Sequence, residues 1–208
     1  MKKALLTALA VATLGAATPA LAETECTRIV GYSQTRQWFN RGFESVVDGG
    51  SYELFWRSGG SLEGWASGAN WSAGTLQSAC TTGPPTRVVL DVAVGTEDGT
   101  SPLIPGQLLS AVNQARSRFP GAVVGVQPIV GGPGYAICPY QTGTVDASVQ
   151  APNLAVRIDA AVANDPALFR GPNPQVPDCS MYRDERGHLT GIGSRTMSQI
   201  IGGWYAAA

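Results

Sequence analysis

The stretch RVVLDVAVG, Arg87–Gly95, is a run of apolar and β-branched residues closed by a glycine, too short for an ordinary helix. Such a run reads as a strand buried on both faces, and strands of that kind belong to parallel sheets covered by helices. Working outward, TRIV (Thr27–Val30) and YELFW (Tyr52–Trp56) are two strands before it. GAVVGVQPIV (Gly121–Val130) and the short ALFR (Ala167–Arg170) are two after it. Helical spacing fills the gaps. TRQWFNRGFESVV (Thr35–Val47) places Trp38, Phe39, Phe43, Val46 and Val47 on one face, and GQLLSAVNQARSRF (Gly106–Phe119) does the same with Leu108, Leu109, Val112, Ala115 and Phe119. A helix is expected from about Pro152 to Ala163. The closing LTGIGSRTMSQIIGGWY (Leu189–Tyr205) offers Ile192, Met197, Ile200, Ile201 and Trp204 as the docking face of a last helix. The Gly-, Ser- and Trp-rich segment between the second and third strands reads as loop or helix. This alternation predicts a three-layer α/β/α, flavodoxin-like sandwich around a parallel sheet of about five strands, in the order 2-1-3-4-5.

The first 22 residues, MKKALLTALAVATLGAATPALA, run from lysines through a short apolar core to small residues at Ala20 and Ala22. That is the order of a secretory signal peptide, with a core too short for a membrane anchor. The working chain is therefore expected to be residues 23–208, a single domain, periplasmic or secreted. Without Lys2 and Lys3, twelve arginines face 15 acids, a net charge of about −3. That balance gives no reason to expect nucleic acid as a partner, and no later stretch is long and apolar enough to span a membrane. It also excludes lysine as a base or Schiff-base former.

Four cysteines, Cys26, Cys80, Cys138 and Cys179, lie far apart without CxxC or CxxH spacing, which favours two disulfides over a metal site. With the strand order above, Cys26 and Cys80 fall near the amino edge of neighbouring strands. Cys138 and Cys179 fall in long loops at the opposite edge. The expected pairs are Cys26 with Cys80 and Cys138 with Cys179.

In a sheet of this kind function gathers where strands end at their carboxyl edge. VGYSQT (Val30–Thr35) puts Ser33 at such a junction, where a serine is by default a helix N-cap. His188 is the only histidine of the chain and sits in YRDERGHLTGIG (Tyr182–Gly193), with Asp184 and Glu185 just before it. A nearby carboxylate can hold one imidazole nitrogen and leave the other to take a proton from a serine. GGPGYA (Gly131–Ala136) lacks the lysine of a phosphate loop and reads as a rim. Trp65 and Trp71 read equally as core or as lining of a sugar- or acyl-binding cleft.

Four ordered blocks resemble the SGNH hydrolases, the GDSL esterase and lipase family: VGYSQT, SGGS (Ser58–Ser61), VAVGTED (Val92–Asp98) and RDERGHLTGIG (Arg183–Gly193). The resemblance implies a serine esterase in which Ser33 is the nucleophile, His188 the general base, and Asp184, or alternatively Glu185, the group that orients His188. It implies an oxyanion hole from the backbone N–H of Ser33 and of Gly60, or less readily Gly59. No metal or organic cofactor is implied. The substrate would be a small-molecule or glycan ester, with O-acetyl groups on carbohydrate among the options. Tyr32 stands in place of the family's aspartate before the serine. Glu97 stands where the family has an oxyanion-binding asparagine, and an ionised glutamate accepts hydrogen bonds without donating any. The alternatives are a turned or protonated Glu97 with another donor such as Asn70, a low activity, a different alignment of the block, or a non-catalytic binding protein on the same fold.

Overall fold

The computed structural model describes residues 25–95, 99–141, 143–145 and 153–208. The leader and Glu97 lie outside the described residues, as does Pro152. Among the described residues a six-stranded sheet is built from β1 (Thr27–Gly31), β2 (Tyr52–Trp56), β3 (Thr75–Gln77), β4 (Arg87–Val92), β5 (Val123–Pro128) and, after a two-stranded hairpin of β6 (Pro139–Tyr140) and β7 (Gly143–Thr144), β8 (Leu168–Arg170). The order is β3-β2-β1-β4-β5-β8. Every pairing from β2 to β8 is parallel, with Ile29 beside both Leu54 and Val89, while β3 runs antiparallel on β2. The expected five-stranded parallel order is thus present, extended by one antiparallel edge strand inside the segment read as loop or helix.

Alternation along the strands sorts the core into two layers. Val30, Val88, Leu90 and Val126 face α2 (Leu62–Ser67), α4 (Ile104–Arg118) and α5 (Leu154–Asn164), meeting Leu62, Trp65, Leu108, Leu154 and Ile158. Ile29, Leu54 and Val89 face α1 (Ser33–Phe39) and α6 (Gly191–Ala207), meeting Trp38, Phe39, Met197, Ile201 and Tyr205. The short α3 (Ala69–Ala73) follows α2 and carries Trp71 against Phe55 and Trp65. The fold is a three-layer α/β/α sandwich.

Three local expectations are corrected. The helix expected to run from Thr35 to Val47 ends at Phe39, and Phe43 reaches the same core from a separate 3₁₀ turn, Phe43–Ser45. In α4, Leu109 is exposed although its spacing suits the core face. In α6 the buried stripe is Gly193, Ser194, Met197, Ser198, Ile201, Gly202 and Tyr205, whereas Ile192 is 76% exposed and Ile200 and Trp204 also face outward. The small residues are buried because α6 packs closely: a Cβ on Gly202 would come within 2.8 Å of the Val46 side chain. Cys26 is bonded to Cys80 and Cys138 to Cys179, and no described cysteine is free.

Candidate active site

Ser33 is the first residue of α1, directly after the carboxyl end of β1. It is not the N-cap, as the junction suggested; Tyr32 holds that position, and the Thr35 hydroxyl accepts the Tyr32 N–H at 3.0 Å. This frees the Ser33 side chain. Its Oγ lies 2.9 Å from His188 Nε2. Gly31 is required for this turn, because a Cβ there would sit 2.1 Å from Thr35 Oγ1. The same Thr35 hydroxyl donates to Asp91 Oδ2 on β4 at 2.6 Å, so the serine turn is tied to the sheet through a buried carboxyl. Burial raises the Asp91 pKa to about 7, against the hydrogen bond from Thr35 and the lowering effect of the nearby Gln127 and Trp38 side chains.

His188 is held by a hairpin that folds back between Tyr182 and Leu189. Within it, Asp184 accepts the backbone N–H of Arg186 at 3.1 Å and of His188 at 3.0 Å, and its Oδ2 lies 2.8 Å from His188 Nδ1. With Nδ1–H donating to Asp184, Nε2 is left to accept the Ser33 hydroxyl. Partial burial pushes the Asp184 carboxyl up, but the His188 N–H and ring, with the Arg183 guanidinium, outweigh it and hold the carboxyl below its ordinary value. The three-residue gap between Asp184 and His188 is bridged because the carboxylate caps the turn that brings the histidine round. Glu185 is exposed and lines a surface depression with Tyr140, Gln141, Arg183, Asp184, Arg186 and His188, and no hydrogen bond joins it to the His188 ring among the described residues.

Two glutamines that sequence reasoning passed over join the serine helix to the histidine hairpin. Gln34, fully buried, donates to Gly187 O at 2.8 Å and accepts Val130 N–H at 3.0 Å; Gln37 accepts Leu189 N–H at 2.8 Å. His188 is therefore gripped on both flanks by α1. The signal in the sequence is polar residues one and four positions after Ser33 on a helix that must be buried. Gln37→Ala leaves the Leu189 N–H without its side-chain partner, and its unfolding midpoint in urea is expected to correspond to a loss of about 1 kcal/mol.

A cleft of about 340 Å³ opens at the carboxyl ends of β1, β2 and β4, between Tyr32, Ser33, the Ser58–Ser61 turn, Ala93–Gly95, His188 and a single arginine, Arg186. Gly59 holds the turn with φ +66°, which a glycine adopts without strain. The Gly60 N–H donates to Arg57 O at 3.1 Å, while neither Ser33 nor Gly59 has a partner for its backbone N–H among the described residues. Trp65 is in the core; its indole N–H donates to Gly60 O at 3.1 Å and supports the turn from beneath. Trp71 packs beside it, so neither tryptophan lines the cleft. Asn70 donates to Ser61 O at 3.0 Å and braces the same turn from outside the cleft. Glu63 accepts the Gly95 N–H at 3.0 Å. Among the described residues the only cluster with metal-ligand chemistry is Cys26, Glu53 and Cys80, and its two cysteines are bonded to each other.

The class defined by fold and site is that of three-layer α/β/α proteins carrying a serine, a histidine and a carboxylate in hydrogen-bonded series at the carboxyl edge of the sheet. No family model matches the chain, and no curated protein matches it. Solved structures similar to it include a DUF4886 family protein from Bacteroides uniformis, at 11% identity over 86% of this chain and 82% of that one, with a TM-score of 0.55. Another is a protein from Streptococcus pneumonia named for platelet activating factor, at 12% identity over 86% and 83%, with a TM-score of 0.54. A GDSL-like lipase from Bacteroides thetaiotaomicron is 17% identical over 89% of each chain, with a TM-score of 0.49. At these identities the first two likenesses concern the fold alone.

Proposed function

We propose that this protein is an exported serine esterase of the SGNH type. The observation that carries the reading is the unbroken series Ser33 Oγ, His188 Nε2, His188 Nδ1, Asp184 Oδ2, with successive contacts of 2.9 and 2.8 Å, set beside a cleft. Ser33 Oγ attacks the carbonyl carbon of an ester while His188 Nε2 takes its proton, and Asp184 steadies the imidazolium that forms. The oxyanion of the tetrahedral intermediate is met by the Ser33 N–H and by the Ser58–Ser61 turn. In that turn the Gly59 N–H is uncommitted, and Gly60 would first have to release Arg57 O. His188 returns the proton to the departing alcohol. A water, deprotonated by the same nitrogen, then hydrolyses the acyl-enzyme and restores Ser33.

Small and apolar side chains at Ala93 and Val94 suit a short acyl group such as acetyl. Two disulfides suit an oxidising compartment, in keeping with a periplasmic or secreted protein. No helix among the described residues is long and apolar enough to cross a membrane.

The test is covalent. The mature chain is incubated with a fluorophosphonate and with 4-nitrophenyl acetate. Expected are one phosphonyl group on the peptide containing Ser33 and loss of acetate release in step with labelling. A chain that neither releases nitrophenol nor takes the label at Ser33 is not an esterase, and the reading as a binding protein on the same fold would then replace it.

A further inference from the structure

From a second cleft beside Ser33 we infer that the alcohol part of the substrate is hydrophilic and carries an anionic group, a carboxylate or phosphate on a sugar. The inference rests on the esterase reading for the word substrate. The cleft, of about 430 Å³, shares Ser33 and His188 with the first and includes none of the Ser58–Ser61 turn. Its remaining lining is Arg36, Gln37, Asn40, Arg41 and Arg183, three cations and two amides with no carboxylate and no aliphatic side chain. A lipid chain finds no apolar wall there. In a chain with 15 acids and 14 basic residues, three arginines converging without an acid on one cavity is a departure from the average surface.

Among the described residues no carboxylate lies within ion-pair distance of Arg36 or Arg41. Arg183 reaches Asp184 at 3.4 Å, but that carboxylate is already engaged by His188. The Arg36 guanidinium lies over the Trp56 ring at 4.5 Å. Stacking occupies its face and leaves the in-plane N–H fork for an oxyanion, which guanidinium binds in a paired geometry. Asn40 is fixed in turn, its Oδ1 accepting the Gln77 amide at 2.6 Å.

Chemistry assigns this cleft to the alcohol. The oxyanion is held on the first cleft's side, and the leaving oxygen must lie against His188 Nε2 to receive its proton. An ester seated in this way runs its alcohol past His188 into the arginine cleft, so an anionic group on that alcohol meets Arg36 and Arg41.

The experiment compares kcat/KM for two pairs of acetyl esters: an O-acetylated galacturonic acid disaccharide against its carboxyl methyl ester, and an O-acetylated glucose phosphate against O-acetylated glucose. At least one charged member is expected to be preferred about tenfold, the preference shrinking with added salt. Which pair shows it separates carboxylate from phosphate. In the Arg36→Gln/Arg41→Gln variant the ratio is expected to fall towards one, and in Arg36→Glu/Arg41→Glu below one. Equal turnover of charged and neutral members by the unaltered protein, or a ratio unmoved in both variants, overturns the inference and leaves the esterase reading standing. Calorimetric titration with unacetylated galacturonic acid disaccharide and with glucose phosphate gives the converse. Salt-sensitive binding of either that is lost in the double variant, by a chain that releases no acetate, upholds the anion site and removes the esterase.

Discussion

Ser33→Ala is expected to lower kcat on 4-nitrophenyl acetate by about 10⁴- to 10⁶-fold, with His188→Ala falling as far and the double variant no further. The reason for the missing additivity is that each residue works only through the other: the hydroxyl without the imidazole keeps its proton, and the imidazole without the hydroxyl has nothing to activate. Asp184→Asn is expected to cost about 10⁴-fold, because an amide at 2.8 Å from Nδ1 can donate to that nitrogen and turn the ring to the wrong tautomer. Glu185→Gln, one position on, is expected to change little, since that side chain is exposed and the ring's Nδ1 is hydrogen-bonded to Asp184 instead. A rate collapse in Glu185→Gln with Asp184→Asn unaffected would reverse the assignment. Unchanged melting temperatures in all the variants would show that the losses are chemical.

The second large effect is on stability. Asp91 is buried in β4 with a pKa raised to about 7, whereas in the unfolded chain it titrates near 4. The folded state therefore holds this proton more tightly than the unfolded state does. Its contribution is complete below about pH 4, declines as the pH rises, and is gone above about pH 7, a change on the order of 4 kcal/mol. Urea unfolding of the wild type is expected to show falling stability across that window, and Asp91→Asn, which cannot ionise, is expected to lose the slope. A level wild-type curve between pH 4 and 7 would mean that the buried carboxyl is ionised throughout. The lowered carboxyls of Asp184, Asp165 and Asp178 act with the opposite sign, adding stability above their unfolded values and losing it as the pH falls further. The two trends are separable by pH.

Much of the fold is legible in the sequence because strands buried on both faces must be apolar at every position, as Val88, Val89 and Leu90 are. The edge strand Thr75–Gln77 is not legible for the complementary reason. It has three residues, two of them exposed, and no apolar run distinguishes it from a loop. Helix faces were misread where small residues do the packing: Ile200 and Trp204 look like a docking face until the buried Ser198 and Gly202 show how closely α6 lies on the layer beneath. At the candidate site, a lone histidine near two carboxylates and a serine at a strand end are visible as residue types. Choosing between Asp184 and Glu185 needs the hairpin geometry, which spacing alone does not encode. Gln34 and Gln37 were hidden because a glutamine in a helix ordinarily marks a solvated position, and only the tertiary fold turns these two towards Gly187 and Leu189.

The serine and the histidine that meet at 2.9 Å stand 155 positions apart in the chain. A ribosome delivers the first long before the second. Without the hairpin that Gln34 and Gln37 hold against α1, the proposed nucleophile Ser33 has no base within reach. On the proposed esterase reading, hydrolytic competence needs both ends of the chain, and truncated chains that lack the histidine hairpin are chemically silent.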